Sequence, residues 1–169
     1  LVYIVIRRFD FKQLPIRFNL GVLFWTPVIF ILMGLTADAV TSLSGGYNYF
    51  TTEIFQYIKP LSIFDKFAAL APMAILYGLL NGFYEEFCFL GLLTCVEDKY
   101  KWQALAYSTL VRVSFHTYQG MLWATVIGVV FGLMYYFFYK YKVKNLLPFF
   151  LIHALADIFG SGFIYLICA

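Results

Sequence analysis

The stretch FAALAPMAILYGLLNGFYEEFCFLGLLTC, residues 67–95, decides how this chain is read. It exceeds the roughly 20 mostly apolar residues that cross a bilayer. Yet it carries two adjacent glutamates, Glu85 and Glu86, in its apolar interior. Working outward, residues 18–35, 102–118, 121–139 and 146–168 have the same apolar character. The expected fold is an all-α membrane protein, a polytopic helical bundle with about five transmembrane helices. The apolar start, residues 1–6, allows a partial sixth. That start is not read as a signal peptide, because Arg7 and Arg8 follow the apolar residues instead of preceding them. Residues 42–64 contain Ser44-Gly45-Gly46 and Pro60 and read as a loop, with a short interfacial helix around 50–58.

Composition supports lipid as the solvent. Hydrophobic residues make up 63% of the 169 and charged residues 12%, about half the charge of an ordinary soluble domain. A soluble fold this small leaves too much surface exposed to hide that apolar content. The net charge of +3 and the lack of a basic stripe exclude nucleic acid as a partner. Cys88, Cys95 and Cys168 are odd in number, have no CxxC spacing and sit in apolar runs. They read as packing residues, not as a disulfide framework or zinc knuckle.

Lys and Arg positions set the expected orientation. Arg7, Arg8, Lys12 and Arg17 precede the first span, Lys99 and Lys101 follow the second, and Lys140, Lys142 and Lys144 follow the fourth. Only Lys59 and Lys66 fall in the intervening loops. The expectation is a multi-pass protein of a bacterial cytoplasmic membrane, with its N-terminus cytoplasmic and its partner the lipid bilayer.

With the loop charges set aside, six ionisable residues remain inside spans: Glu85, Glu86, Arg112, His116, His153 and Asp157. Each charge held in mid-bilayer costs about 2.5–3.5 kcal/mol, so such residues face the bundle interior and meet one another. Arg112 and His116 are four apart and share a helix face, as do His153 and Asp157; Asn81 precedes Glu85 by one turn. Counting about 1.5 Å per residue brings Glu85, Arg112 and Asp157 to similar depth. A carboxylate beside a neutral imidazole can deprotonate a water, and a second imidazole can donate to a developing oxyanion. No GxSxG elbow and no HExxH motif is present.

At these residues the chain resembles the CaaX-protease and bacteriocin-processing (CPBP, or Abi) family of intramembrane proteases, bacterial branch. The first family motif is EExxxR, and Glu85-Glu86-Phe87-Cys88-Phe89-Leu90 matches it except at its last position. The second is FxxxH, matched by Arg112-Val113-Ser114-Phe115-His116 except at its first. The third is His followed four residues later by Asn or Asp, matched by His153 and Asp157. The resemblance divides a single membrane domain into residues 1–66, with the N-terminal segment, first span and external loop, and a catalytic core, residues 67–169.

The resemblance implies an endopeptidase that cleaves a hydrophobic peptide, lipidated or not, or a membrane-anchored precursor, in CaaX-type, pheromone or bacteriocin maturation. It implies catalysis by Glu85 and His116 on a water, an oxyanion site at His153 and Asp157, and support from Glu86. Arg112 and Asn81 are the candidate substrate-binding residues. Arg112 is also expected to supply the positive charge that Leu90 lacks, by pairing with Glu86 or Asp157. Tyr118 and Gln119 read as packing residues or outer support. No cofactor is expected; the metal alternative is zinc on Glu85, His116 and His153, with a water as fourth ligand. The rival function is a catalytically silent scaffold or bacteriocin self-immunity protein of the same fold. Gly128 and Gly132, a GxxxG spacing in the fourth span, suggest close packing within the bundle or a homodimer.

Overall fold

The computed structural model describes residues 8–44, 68 and 70–162. All described regular structure is helical. Helix α1 is Leu20–Ser44; α2 comprises α-helical Pro72–Glu86 and its π-helical continuation Phe87–Leu92; α3 is Lys101–His116. Helix α4 is Met121–Val143, wound as a π-helix over Val126–Phe131 and Tyr139–Val143, and α5 is Leu147–Phe159. Of these, α1 and α4 are long and apolar enough to cross a membrane by themselves. The outer surface is apolar, with Leu23, Phe24, Tyr77, Leu80, Leu110 and Phe115 all exposed. Such a surface is stable against lipid tails and unstable against water.

Several helix lengths depart from the expected spans: α2 covers 72–92 of the expected 67–95, and α4 runs four residues past 139 to Val143. Helix α1 runs on past residue 35, because its small polar residues satisfy themselves along the helix: Thr36 and Thr41 hydroxyls donate to the Leu32 and Ala37 carbonyls at 2.7 and 2.9 Å. Helix α5 stops at Phe159, where Gly160 takes φ +86°. Its 13 residues reach only about 20 Å, and Gly160-Ser161-Gly162 follows before the sequence turns apolar again. Residues 42–44, expected to begin the loop at 42–64, are the last residues of α1; the rest of that loop, its interfacial helix, the start before Arg8, Lys59, Lys66 and Cys168 lie outside the described residues.

Helix starts follow from proline. Pro72 opens α2 and Pro148 lies in the first turn of α5, where a missing N–H leaves nothing unpaired. Helix α3 leads through a 3-10 turn, Thr117–Gln119, to Gly120 at φ +87°. Lys144, left-handed at φ +50°, ends α4.

The helices alternate in direction, so the start of α1, end of α2, start of α3, end of α4 and start of α5 meet at one end of the bundle. This end is tied shut. Asn145 Nδ2 donates to the Arg17 carbonyl at 2.6 Å and its Oδ1 accepts from the Arg17 N–H at 3.0 Å. Lys140 Nζ donates to the Thr94 carbonyl at 3.0 Å. Leu146, Phe149, Ile152, Ile29, Met33 and Tyr136 form the innermost core.

Two glycine seams hold the helices close. A Cβ on Gly82 would lie 2.7 Å from the Phe150 carbonyl oxygen, and one on Gly78 2.9 Å from Ile158 Cγ1, so α2 and α5 touch backbone to backbone. Gly128 likewise meets the Val113 backbone, its Cβ position 2.8 Å from that nitrogen, and Gly132 leaves room for the Arg112 stem. The glycine face of α4, read as serving the bundle or a homodimer, is therefore filled by α3 of the same chain.

Candidate active site

Gly78, Gly82 and Glu86 follow one another at four-residue spacing and are all buried on the face of α2 that meets α5. The seam at Gly82 thus delivers Glu86, which is fully buried, to His153. The His153 Nδ1 to Glu86 Oε1 distance is 2.8 Å. From the other side Arg112 grips the same carboxylate with two parallel bonds, Nη1 to Oε1 at 2.8 Å and Nη2 to Oε2 at 2.7 Å. Paired, charge-assisted bonds of this kind are the strong form of the interaction. The guanidinium carbon stands 5.0 Å from the centroid of the Phe89 ring and 6.0 Å from that of Tyr135. Ser108, one turn before Arg112, donates to the Phe89 carbonyl at 2.8 Å and pins α3 to the π-wound part of α2.

Of the two partners expected for Arg112, the structure selects Glu86 and not Asp157. Leu90, where the motif would carry arginine, is buried four residues beyond Glu86. The cation comes instead from the neighbouring helix.

Glu85 points elsewhere. Its Oε2 lies 3.7 Å from His116 Nε2 and 3.8 Å from His153 Nε2. That oxygen is buried and has no hydrogen-bond partner among the described residues. Separations beyond 3.5 Å are too long for direct bonds and match groups that share a small polar molecule. Asp157 Oδ1 lies 3.7 Å from His153 Nε2, and its Oδ2 accepts from Asn81 Nδ2 at 2.9 Å.

The bonds at Nδ1 orient both rings. His116 Nδ1 lies 2.8 Å from the Arg112 carbonyl, which only accepts, so this nitrogen carries the proton. His153 Nδ1 faces a carboxylate oxygen already gripped by Arg112, and donates to it in the same way. When the rings are neutral, both Nε2 atoms present lone pairs toward Glu85.

These groups line a chamber of about 90 Å³. Tyr118, Gln119 and Ser161, just past the ends of α3 and α5, line it as well. Tyr118 and Gln119 are not core packing: Tyr118 is exposed, its ring stands against His116 at 6.3 Å between centroids, and Gln119 Nε2 donates to its hydroxyl at 2.8 Å. A wider apolar groove of about 330 Å³ runs between α2 and α3, lined by Tyr84, Cys88, Leu92, Tyr107, Val111 and Phe115 among others. Glu85 and Asn81 line both cavities. The groove residues recur at helical spacing on two helices, Tyr84, Cys88 and Leu92 facing Tyr107, Val111 and Phe115, but in apolar spans such faces do not stand out in sequence.

Residues 67–159 match the family profile described as type II CAAX prenyl endopeptidase Rce1-like. The chain belongs to this family. The match covers more than half of the protein and contains every residue of the ionisable cluster. It places the chain among membrane peptidases of the CAAX type. Searches of curated proteins and of solved structures returned no match. Among the described residues, no group of three or more His, Cys, Asp or Glu side chains is arranged to hold a metal ion.

Proposed function

We propose that the chain is an intramembrane endopeptidase that hydrolyses an amide bond with a water activated by Glu85 and His116. The observation that carries this is the Glu85 Oε2 atom, buried and unpaired among the described residues, with imidazole nitrogens 3.7 and 3.8 Å away. Burial of an unpaired carboxylate oxygen costs free energy. A catalytic site recovers that cost when its reactants bind. A silent scaffold of the same fold has no use for it.

A water between Glu85 and His116 donates one hydrogen to Glu85 Oε2 and the other to His116 Nε2. As its oxygen attacks the scissile carbonyl carbon, Glu85 takes the proton and later passes it to the leaving amine. The carbonyl oxygen becomes an oxyanion and needs donors. His153 supplies one from Nε2 in its imidazolium form, which Glu86 stabilises from Nδ1, as a buried carboxylate does in the serine protease triad. Asp157 accepts only when ionised, so it orients neighbours instead of binding the oxyanion. Asn81 holds a second N–H on the Nδ2 that Asp157 fixes, and serves as the other donor. Arg112, fully engaged with Glu86, acts as a positioning residue.

The substrate is a hydrophobic peptide, lipidated or not, or a membrane-anchored precursor. Its apolar part lies in the groove between α2 and α3, whose size falls in the ordinary range for small-molecule sites. The protein is a multi-pass protein of the cell membrane and acts without a metal. Glu85→Ala and His116→Ala, each expressed in membranes, abolish processing of a hydrophobic reporter peptide. Unchanged processing in both defeats the enzyme reading. Stoichiometric zinc in the purified protein, lost together with activity on chelation, defeats the metal-free one.

A further inference from the structure

Trp123, Ile127, Phe131 and Tyr135 follow one another on α4 at four-residue spacing, and all line the chamber. In an α-helix such a row drifts around the axis, since four residues exceed a turn of 3.6. The wider π-turn over Val126–Phe131 offsets the drift, so the row forms one wall. Tyr135 adds a hydroxyl to that wall and is only 2% exposed. Its ring packs on Phe149, one turn before His153, at 5.3 Å between centroids. The Arg112 guanidinium carbon is 6.0 Å from the centre of the same ring. Arg112 and His153 both bond Glu86, so Tyr135 stands beside both supports of that carboxylate. The chamber, about 90 Å³, has room for about three waters. Groups on its walls therefore serve the same few atoms.

The partner of this hydroxyl is unusual. Arg112, His116 and His153 direct their hydrogens at carboxylate or carbonyl oxygens. The Tyr135 O–H donates instead to the Met33 sulfur of α1, at 3.2 Å. A thioether is a weak acceptor, so this hydrogen is held less firmly than theirs. Met33 also lines the chamber. We propose that Tyr135 is a catalytic residue, a third donor to the oxyanion, and that Met33 holds its hydrogen between turnovers. As the scissile carbonyl oxygen gains charge, the hydroxyl turns about its C–O bond, gives up the sulfur and donates to that oxygen. No proton is transferred. The oxyanion has three lone pairs, so Tyr135 fits beside His153 and Asn81. A bond that forms only as charge develops lowers the barrier without tightening substrate binding. Met33 lies outside the matched residues 67–159, so the first helix takes part in the chemistry too. The assignment rests on the endopeptidase reading above.

The test uses the full chain purified in detergent, a fluorogenic hydrophobic peptide, and a phosphinic analogue of that peptide whose anionic oxygen stands in for the oxyanion. Tyr135→Phe keeps the ring and its contacts. Its kcat falls roughly 10²–10³-fold with KM little changed, and the analogue's Ki rises by the same factor as kcat falls. Met33→Leu removes the sulfur and keeps the hydroxyl, so the analogue binds at least as tightly as to the native chain. If the O–H to sulfur bond merely braces α1 against α4, both substitutions weaken the analogue alike; that result overturns the proposal. Should Tyr135→Phe not fold, Met33→Leu decides alone, and weaker binding of the analogue overturns the proposal. Native kcat in Tyr135→Phe, with activity lost in Glu85→Ala, defeats this assignment and leaves the endopeptidase reading standing. A native chain that neither hydrolyses the peptide nor binds the analogue defeats that reading and this assignment with it.

Discussion

Replacing Arg112 by Met removes the cation from the most buried charge among the described residues. Glu86 is fully buried and Arg112 is 3% exposed, and their two bonds are 2.8 and 2.7 Å long. An exposed ion pair contributes only about 0–1 kcal/mol, but breaking a buried pair from one side costs about 3–5 kcal/mol, because it strands the other charge. His153 still donates to Glu86 in the variant, which favours the lower part of that range. About 3 kcal/mol is expected, or roughly a hundredfold in the folded-to-unfolded ratio at 1.4 kcal/mol per tenfold. Denaturant titration in mixed micelles, followed by tryptophan fluorescence, reads it. Adding Glu86→Gln removes the stranded charge, and the double variant returns to within about 1–2 kcal/mol of the native chain, since replacing a whole buried pair is often close to neutral. Leu90→Arg combined with Arg112→Phe moves the cation to the next turn of α2 and restores both stability and activity in part. An Arg112→Met variant as stable as the native chain, or a Glu86→Gln, Arg112→Met double variant no better than the single, refutes the role assigned to the pair.

Three further outcomes follow from the same geometry. Glu86→Gln weakens the support of the His153 imidazolium, so kcat falls by roughly 10²–10⁴ with KM little changed; steady-state kinetics on a fluorogenic peptide checks the split. Gly82→Ala drives a methyl into the α5 backbone and destabilises by about 1–3 kcal/mol, whereas Gly132→Ala, whose nearest contact is 3.6 Å away, stays within about 1 kcal/mol by the same titration. Val111→Trp fills the apolar groove and raises KM roughly tenfold, about 1.4 kcal/mol, for a peptide with a long apolar tail, but not for one without it.

The ionisable cluster was legible in the sequence because charge in an apolar span is expensive enough to be informative by itself. Glu85, Glu86, His116, His153 and Asp157 could be named without coordinates, and Arg112 could be tied to a carboxylate. Which carboxylate was not legible, since that depends on the angle at which α3 crosses α2. The end of α5 was hidden for a different reason. Gly160-Ser161-Gly162 is a turn signal in the sequence, but the apolar run resumes at Phe163, and hydropathy read across the break. The seam at Gly78 and Gly82 had the same spacing as Gly128 and Gly132 and was open to the same reading; hydropathy alone passed over it. The π-winding after Glu86 leaves no residue signature; the wound segment lies against α3, where Phe89 meets the Phe115 ring and its carbonyl accepts from Ser108.

The contact of α2 and α5 through Gly82 has a consequence for how the protein works in time. With main chain against main chain, no side-chain layer remains between Glu86 and His153 to act as a bearing, so the two helices move as one body. Glu86 and His153 are thus set against each other by the fold itself, and any adjustment of the cluster falls to α3, which carries Arg112 and His116.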